Sequence, residues 1–248
     1  MSPAIPAATL ILVREQGHGR QPDLLMVERA STMAFAGGAL VFPGGRIDPA
    51  DVVLGERLGV EHGGAIVAAV RETIEETAVA VALDPPPSPE LARTMQDALL
   101  AGAEMAGLLE RHSLVLRPEA LMLFAHWVPR FHAVRRFDTL FFIAAVPAGA
   151  WQPRVGEREN VSAEWLTAAE ALRRGETGEA TLIFPTRCNL QRLAGHGGLA
   201  EMRDDALRHP AEPVTPWIEE RDGERMLTIP DHLGYPVTRK RVDSLWRG

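Results

Sequence analysis

The segment Arg71-Glu72-Thr73-Ile74-Glu75-Glu76 constrains this chain more than any other, because it stacks three carboxylates along one flank of a helix. Glu72, Glu75 and Glu76 stand at i, i+3 and i+4, so their side chains emerge as neighbours. Val67, Val70, Ile74 and Ala78 project from the opposite flank, which is left to face a core. Two readings of the acid stand side by side. Like-charged pairs at helical spacing cost only about 0.2–0.5 kcal/mol each, so a solvated acidic face needs no metal. A hard divalent ion such as Mg²⁺, however, takes oxygen ligands and shares them with a substrate's phosphates, which points to phosphate chemistry. The run Val41-Phe42-Pro43-Gly44-Gly45 favours the second reading. An apolar strand broken by Pro-Gly-Gly makes a tight loop whose bare backbone lets a cation or phosphate come close.

Together, Gly44-Gly45 and Arg71-Glu72-x-x-Glu75-Glu76-x-Ala78-Val79 resemble the signature of the Nudix hydrolases, which use Mg²⁺ or Mn²⁺ to cleave a diphosphate linking a nucleoside to another group. The resemblance implies that Glu72, Glu75 and Glu76 are the metal-binding and catalytic glutamates, that Arg71 orients them, and that the Gly44 carbonyl is a backbone metal ligand. Two departures stand out. The stretch from Gly45 to Arg71 is longer than the family norm and has no glutamate at the usual middle position, Glu61 being the nearest. Ala78 replaces the usual glycine after the helix, a small residue that lacks glycine's freedom at positive φ.

The lengthened stretch is similar to the Nudix branch that includes the mammalian peroxisomal coenzyme A diphosphatases. So are Arg135-Arg136-Phe137-Asp138-Thr139-Leu140-Phe141-Phe142 and Val161-Ser162-x-x-Trp165-Leu166-Thr167, and the similarity runs over about residues 8–193. It implies an α/β protein built as a Nudix-like α/β/α sandwich, a mixed β-sheet flanked by helices, with an inserted helix. The implied reaction is hydrolysis of a nucleoside diphosphate linked to another moiety. The branch suggests coenzyme A or an acyl-coenzyme A, and NADH, ADP-ribose and nucleotide sugars stay open. Family members often meet the diphosphate with a basic residue after the second strand, which makes Arg29 a candidate. Arg135 and Arg136, at a strand's mouth, are candidates for a substrate phosphate or acidic group. The general base is open between Glu72, Glu75 and a late-loop glutamate, for which Glu157 and Glu159 are the candidates. The alternative is a non-catalytic Nudix-like domain that binds a nucleotide to regulate. Such domains tend to lose box glutamates, and this chain keeps all three. A homodimer is compatible with the family.

With 248 residues, 46% of them hydrophobic, the chain is long enough for one good-sized core, and a single domain over 1–248 is expected. Its net charge of −7 argues against broad nucleic-acid affinity, which needs a basic surface. Cys188 is the only cysteine, so no internal disulfide and no multi-cysteine zinc site can form, and a buried apolar role is expected for it. No leader sequence stands at the N-terminus and no apolar stretch is long enough to span a bilayer, so a cytoplasmic protein without a membrane partner is expected.

Along the chain, residues 9–13 and 23–27 read as strands. The segment 47–64 is mixed and glycine-bearing, and its structure stays open. The glutamate helix is expected over about 65–79, followed by a strand-like run at 79–82. Asp84-Pro85-Pro86-Pro87-Ser88-Pro89 breaks the chain, with Ser88 a cap and Pro89 in the first turn of the next helix. Leu91, Met95, Ala98, Leu99, Met105 and Leu109 predict one inserted helix over roughly 91–110, inside an insertion of about 88–112. Gly102 falls on its stripe at a cost of about 1 kcal/mol against alanine. Strands are expected at 121–128 and 139–146, a helix at 162–173 stopping at Gly175, and another at 185–193. His126 and His132 have no partners at metal spacing. The C-terminal extension, about 196–248, ends in a β-hairpin whose strands flank Arg221-Asp222-Gly223-Glu224.

Overall fold

The computed structural model describes residues 3–17, 19–33, 36–128, 136–147, 151–156 and 160–242. Strands β1 (Ile5–Arg14) and β2 (Asp23–Arg29) run antiparallel but pair only at one end, with Val13 opposite Leu24. Beyond that they splay, and the next segment fills the gap. β3 (Leu40–Val41) pairs with β2 and β4 (Gly44–Arg46) with β1, so the chain crosses between the strands at Phe42-Pro43.

The segment 47–64 forms helix α1 (Pro49–Leu58), begun by Asp48 as N-cap, Pro49 in the first turn and Asp51 closing a capping box. It packs flat on α2 (Gly63–Thr77), the glutamate helix, and only glycine fits at their closest approach. A Cβ on Gly55 would stand 2.1 Å from Gly64 N. Helix α2 stops at Ala78, whose φ of 54° is left-handed. Residues 79–81 are buried, but they form no strand, because Ala78 and Ala82 (φ 56°) both break the extended path. β5 (Leu83–Asp84) follows. The single inserted helix is in fact two, α3 (Pro89–Leu100) and α4 (Met105–Arg111). Gly102 takes φ 89°, and the N–H groups of Gly102 and Ala103 turn back onto Leu99 and Ala98, ending α3 at the glycine rather than running through it.

β6 (Val115–Leu116) pairs with β5, and β7 (Met122–Trp127) and β8 (Phe137–Ala145) then complete the centre of the sheet. The first half of the expected helix at 162–173 is strand and only the second half is helix. β9 (Asn160–Thr167) lies along the whole of β2, whose free edge claims these residues for ladder hydrogen bonds against their helical spacing. Only then does Thr167 cap α5 (Ala168–Thr177), accepting from Glu170 N, and the helix ends at Gly178 rather than Gly175. Helices α6 (Phe184–Leu193) and α7 (Leu199–Arg208), β10 (Pro213–Val214), β11 (Trp217–Arg221), β12 (Glu224–Thr228) and β13 (Arg239–Arg241) finish the chain. The hairpin turns at Asp222 and Gly223, both at positive φ, as an Asp-Gly turn requires, and β13 widens it to three strands.

The main sheet runs β10-β7-β8-β1-β2-β3, with β4 added to β1 and β9 to β2; β1–β8 and β10–β7 are parallel and the other pairs antiparallel. Strand alternation divides the core in two. Ala8, Leu10, Leu12 and Phe142 face the side holding α2, α3 and α4. Ile11, Val13, Phe141 and Ile143 face the side holding α5, α6 and α7. This is the α/β/α sandwich expected from the sequence. No helix of the described residues is long and apolar enough to cross a membrane.

Candidate active site

The site is organised around one buried arginine. Arg71, on α2, is 9% exposed and uses every N–H it has. Its Nε donates to Asp51 at 2.9 and 3.2 Å, and its Nη2 to Asp51 at 2.8 Å and to the Arg46 carbonyl at 2.9 Å. Its Nη1 donates to Glu72 at 2.9 Å and to Glu75 at 3.4 Å. Burial works to lower the Arg71 pKa, but the hydrogen bonds to Asp51 and the Glu72 charge outweigh it and raise the value, so the guanidinium stays charged. Asp51 is 1% exposed and also accepts from the Asp48 N–H at 2.9 Å. The segment 47–64 thus supplies, from the first turn of α1, the acid that clamps Arg71.

The Gly-Gly strand meets the glutamates from the other side. Gly44 N–H donates to Glu76 at 3.0 Å. A Cβ on Gly45 would stand 2.4 Å from the Glu72 carboxyl carbon, so the missing side chain is the space the carboxylate occupies. Burial, reinforced by Glu76 and Glu75 and opposed by Arg71, pushes the Glu72 carboxyl up to about 8. Among the described residues, no three His, Cys, Asp or Glu side chains are gathered in a ready metal-holding group. Arg71 and Gly44 hold the carboxylates to their own bonds. Three carboxylates on successive turns of one helix, one of them raised by burial and by its two like-charged neighbours, are nevertheless hard oxygen donors of the kind a divalent cation takes.

These groups form one end of a cavity of about 1050 Å³ in the splay of the sheet. Glu72, Glu75, Arg71 and Asp51 line that end, while Glu76, 4% exposed, sits behind Gly44. The cavity continues along β1 and β8 over Thr9, Thr139, Phe141 and Trp127 to the start of α6. Arg29 and Arg136 both line it. A register shift between Glu28 and Arg29 marks the end of the β2–β9 ladder, an irregularity of the kind that re-aims a side chain, and the Arg29 Nε is buried without a hydrogen bond. Arg135, His132, Glu157 and Glu159 lie outside the described residues. His126 bonds Asp138 on the neighbouring strand at 2.5 Å. Cys188 is buried, and burial pushes its thiol up to about 12, which makes it a packing residue and not a nucleophile. Sequence reasoning passes over Asp51, although Asp48-Pro49-x-Asp51 is a readable helix start.

No family model matches the sequence. Among solved structures, a NUDIX hydrolase from Alicyclobacillus acidocaldarius is 28% identical with a TM-score of 0.70, covering 82% of this chain and 97% of that chain. The NUDIX domain of Shewanella oneidensis NrtR, complexed with ADP ribose, is 14% identical with a TM-score of 0.45, covering 84% of this chain and 90% of that chain. The MutT protein from Methanosarcina mazei Go1 is 14% identical with a TM-score of 0.44, covering 77% of this chain and 93% of that chain. The first of these extends over nearly its whole length. The fold is that of the Nudix hydrolases, and the enzyme it carries is a Nudix-type diphosphohydrolase.

The two glycines of β4 are expected to fail differently when given a side chain. In Gly45→Ala the new Cβ meets the far end of the flexible Glu72, so the fold survives while the carboxylate is displaced. Turnover is expected to fall at least about tenfold, or 1.4 kcal/mol. In Gly44→Ala the Cβ would stand 2.4 Å from the Ala8 carbonyl oxygen, a backbone atom that cannot step aside, so stability goes first. Thermal melts beside steady-state kinetics separate the two, and a fully active Gly45→Ala enzyme would contradict the cradle.

Proposed function

We propose that the protein is a divalent-metal-dependent hydrolase cleaving the diphosphate of a nucleoside diphosphate linked to another moiety, with coenzyme A or an acyl-coenzyme A the first candidate. The observation that carries this reading is the clamp at one end of the cavity, where Asp51 fixes Arg71 and Arg71 bonds Glu72 and Glu75. Glu72, Glu75 and Glu76 are the residues we assign to hold Mg²⁺ or Mn²⁺, with the Gly44 carbonyl as a further ligand. Such an ion, when bound, neutralises charge on the diphosphate and lowers the pKa of a bound water. Arg71 keeps Glu72 and Glu75 apart and aimed, sparing the reaction that reorganisation. Arg29 and Arg136 offer N–H donors to phosphate oxygens along the cavity wall. The remaining length, floored by Phe141 and Trp127, is where the two groups flanking the diphosphate are expected to lie. The net charge of −7 suits a small-molecule partner and no nucleic acid.

A hydrolysis panel with Mg²⁺ and Mn²⁺ tests the proposal on coenzyme A, acyl-coenzyme A, NADH, ADP-ribose, nucleotide sugars and dinucleoside polyphosphates. Metal-dependent cleavage of one class names the substrate. Tight nucleotide binding without cleavage of any of them would replace the enzyme with a regulatory nucleotide-binding domain.

The raised Glu72 pKa gives a second expectation. Its carboxyl moves from about 4.5 to about 8 on folding, so between those values the folded chain holds a proton that the unfolded chain has lost. In that window stability falls as pH rises, in the absence of a divalent ion. An ion that binds the ionised carboxylates reverses the trend. Added Mg²⁺ is therefore expected to raise the Tm more at pH 8 than at pH 5, and an equal shift at both would remove Glu72 from the metal site.

A further inference from the structure

The last turn of α2 carries Glu75 and Glu76, and its final carbonyls have no partners within the helix. Ile74 O is taken locally, by the Ala78 N–H at 2.8 Å. The carbonyls of Glu75 and Thr77 are taken from far along the chain. Gln96, on the inserted helix α3, is fully buried, and its Nε2 donates to Glu75 O at 2.9 Å and to Arg154 O at 2.7 Å. Its Oε1 accepts from Arg154 Nε at 2.5 Å. The Arg154 N–H in turn donates to Thr77 O at 2.8 Å, while its guanidinium pairs with Asp97. Two residues further on, a Cβ on Gly156 would touch Leu100 at 3.3 Å and Glu75 O at 3.9 Å. The segment 151–156 is therefore sewn to the end of the glutamate helix, directly through the Arg154 N–H and indirectly through one buried amide that makes one bond to α2 and two to Arg154.

Helix α3 does not need that amide to dock. Ala92, Met95 and Leu99 already bury its apolar face, and a buried amide is worth having only when every bond is made. We propose that Gln96 is a positioning residue for hydrolysis. It locks the last turn of α2 to the 151–156 segment, so that Glu75 and Glu76 keep one fixed place at the carboxylate end of the cavity. The inserted helix then serves the site through Gln96 as well as the core through its stripe. The consequence for turnover rests on the proposed function; the lock itself does not.

The test compares Gln96→Leu with Met95→Ala, a buried neighbour on the same helix with no bond to the α2 carbonyls. Backbone hydrogen exchange at Arg154, whose N–H is bonded to Thr77 O, is expected to quicken at least about tenfold in Gln96→Leu, and in Met95→Ala to change only as global stability does. In the same variant kcat falls at least about tenfold with KM within about twofold, whereas Met95→Ala keeps kcat within about twofold at a comparable loss of Tm. Exchange and kcat in Gln96→Leu that merely track Met95→Ala would overturn the proposal. Faster exchange in a chain whose wild type cleaves no diphosphate would keep the lock and overturn its part in hydrolysis. Should Gln96→Leu not fold, Gln96→Asn draws the same amide back by one methylene and gives the same two readouts.

Discussion

Glu75→Gln and Glu76→Gln are each expected to lower turnover at least about a hundredfold with the fold retained, a loss of roughly 2.7 kcal/mol of transition-state stabilisation. Glutamine matches glutamate in shape, and at position 76 its Oε1 still accepts the Gly44 N–H that Glu76 now takes at 3.0 Å. The Gly44 loop therefore keeps its anchor. At position 75 the side chain is 30% exposed at the cavity, and its bond to Arg71 is long, 3.4 Å. Little packing is lost in either variant. What disappears is one negative charge, and with it, on the proposed assignment, much of the hold on a hard divalent ion. Kinetics beside thermal melts make the comparison. Near-normal rates in both variants, with intact folds, would remove these carboxylates from the chemistry.

Asp51→Ala is expected to cost far more stability than either glutamine substitution. Asp51 is 1% exposed and answers Arg71 with both oxygens, at 2.8 to 3.2 Å. Removing one partner of a buried pair leaves the other charge uncompensated, at a cost of about 3–5 kcal/mol. The capping box that starts α1 goes as well. For a chain of this size the loss corresponds to a fall in Tm of roughly 6–20 °C. The double variant Asp51→Ala/Arg71→Met removes the orphaned charge too, so it is expected to recover stability without recovering turnover. A double variant no more stable than Asp51→Ala would show that the loss comes from the cap or from packing and not from the buried ion pair.

What was legible in the sequence was local. The glutamate helix, expected over about 65–79, is Gly63–Thr77, because apolar and acidic positions at a period of 3.6 need nothing beyond the segment itself. The Asp222-Gly223 turn is equally local. What was hidden depends on neighbours distant in the chain. Residues 162–167, the first half of the expected helix, pair with β2, since an open strand edge outweighs a modest helical preference. Gly102, by contrast, reads as a weak point within one helix, while its positive φ caps α3 locally, a stop masked by the apolar stripe that runs on to Met105 and Leu109. Asp51 reaches Arg71 across 20 residues, and Gln96 reaches Arg154 across 58, through contacts that exist only once α1 and α3 have docked. Of the residues the sequence points to, Gly44, Arg71, Glu72, Glu75, Arg29 and Arg136 line one cavity and Glu76 stands behind it, while Arg135, Glu157 and Glu159 lie outside the described residues.

The most direct test of the metal-dependent diphosphatase is an initial-rate measurement on diphosphate substrates in chelator-treated enzyme, with Mg²⁺ titrated back from zero. The expected result is no turnover without metal and a saturable return of activity on adding it, absent throughout the titration in Glu75→Gln. Turnover that persists without any divalent ion, or a chain that cleaves no diphosphate at any Mg²⁺ concentration, would contradict it.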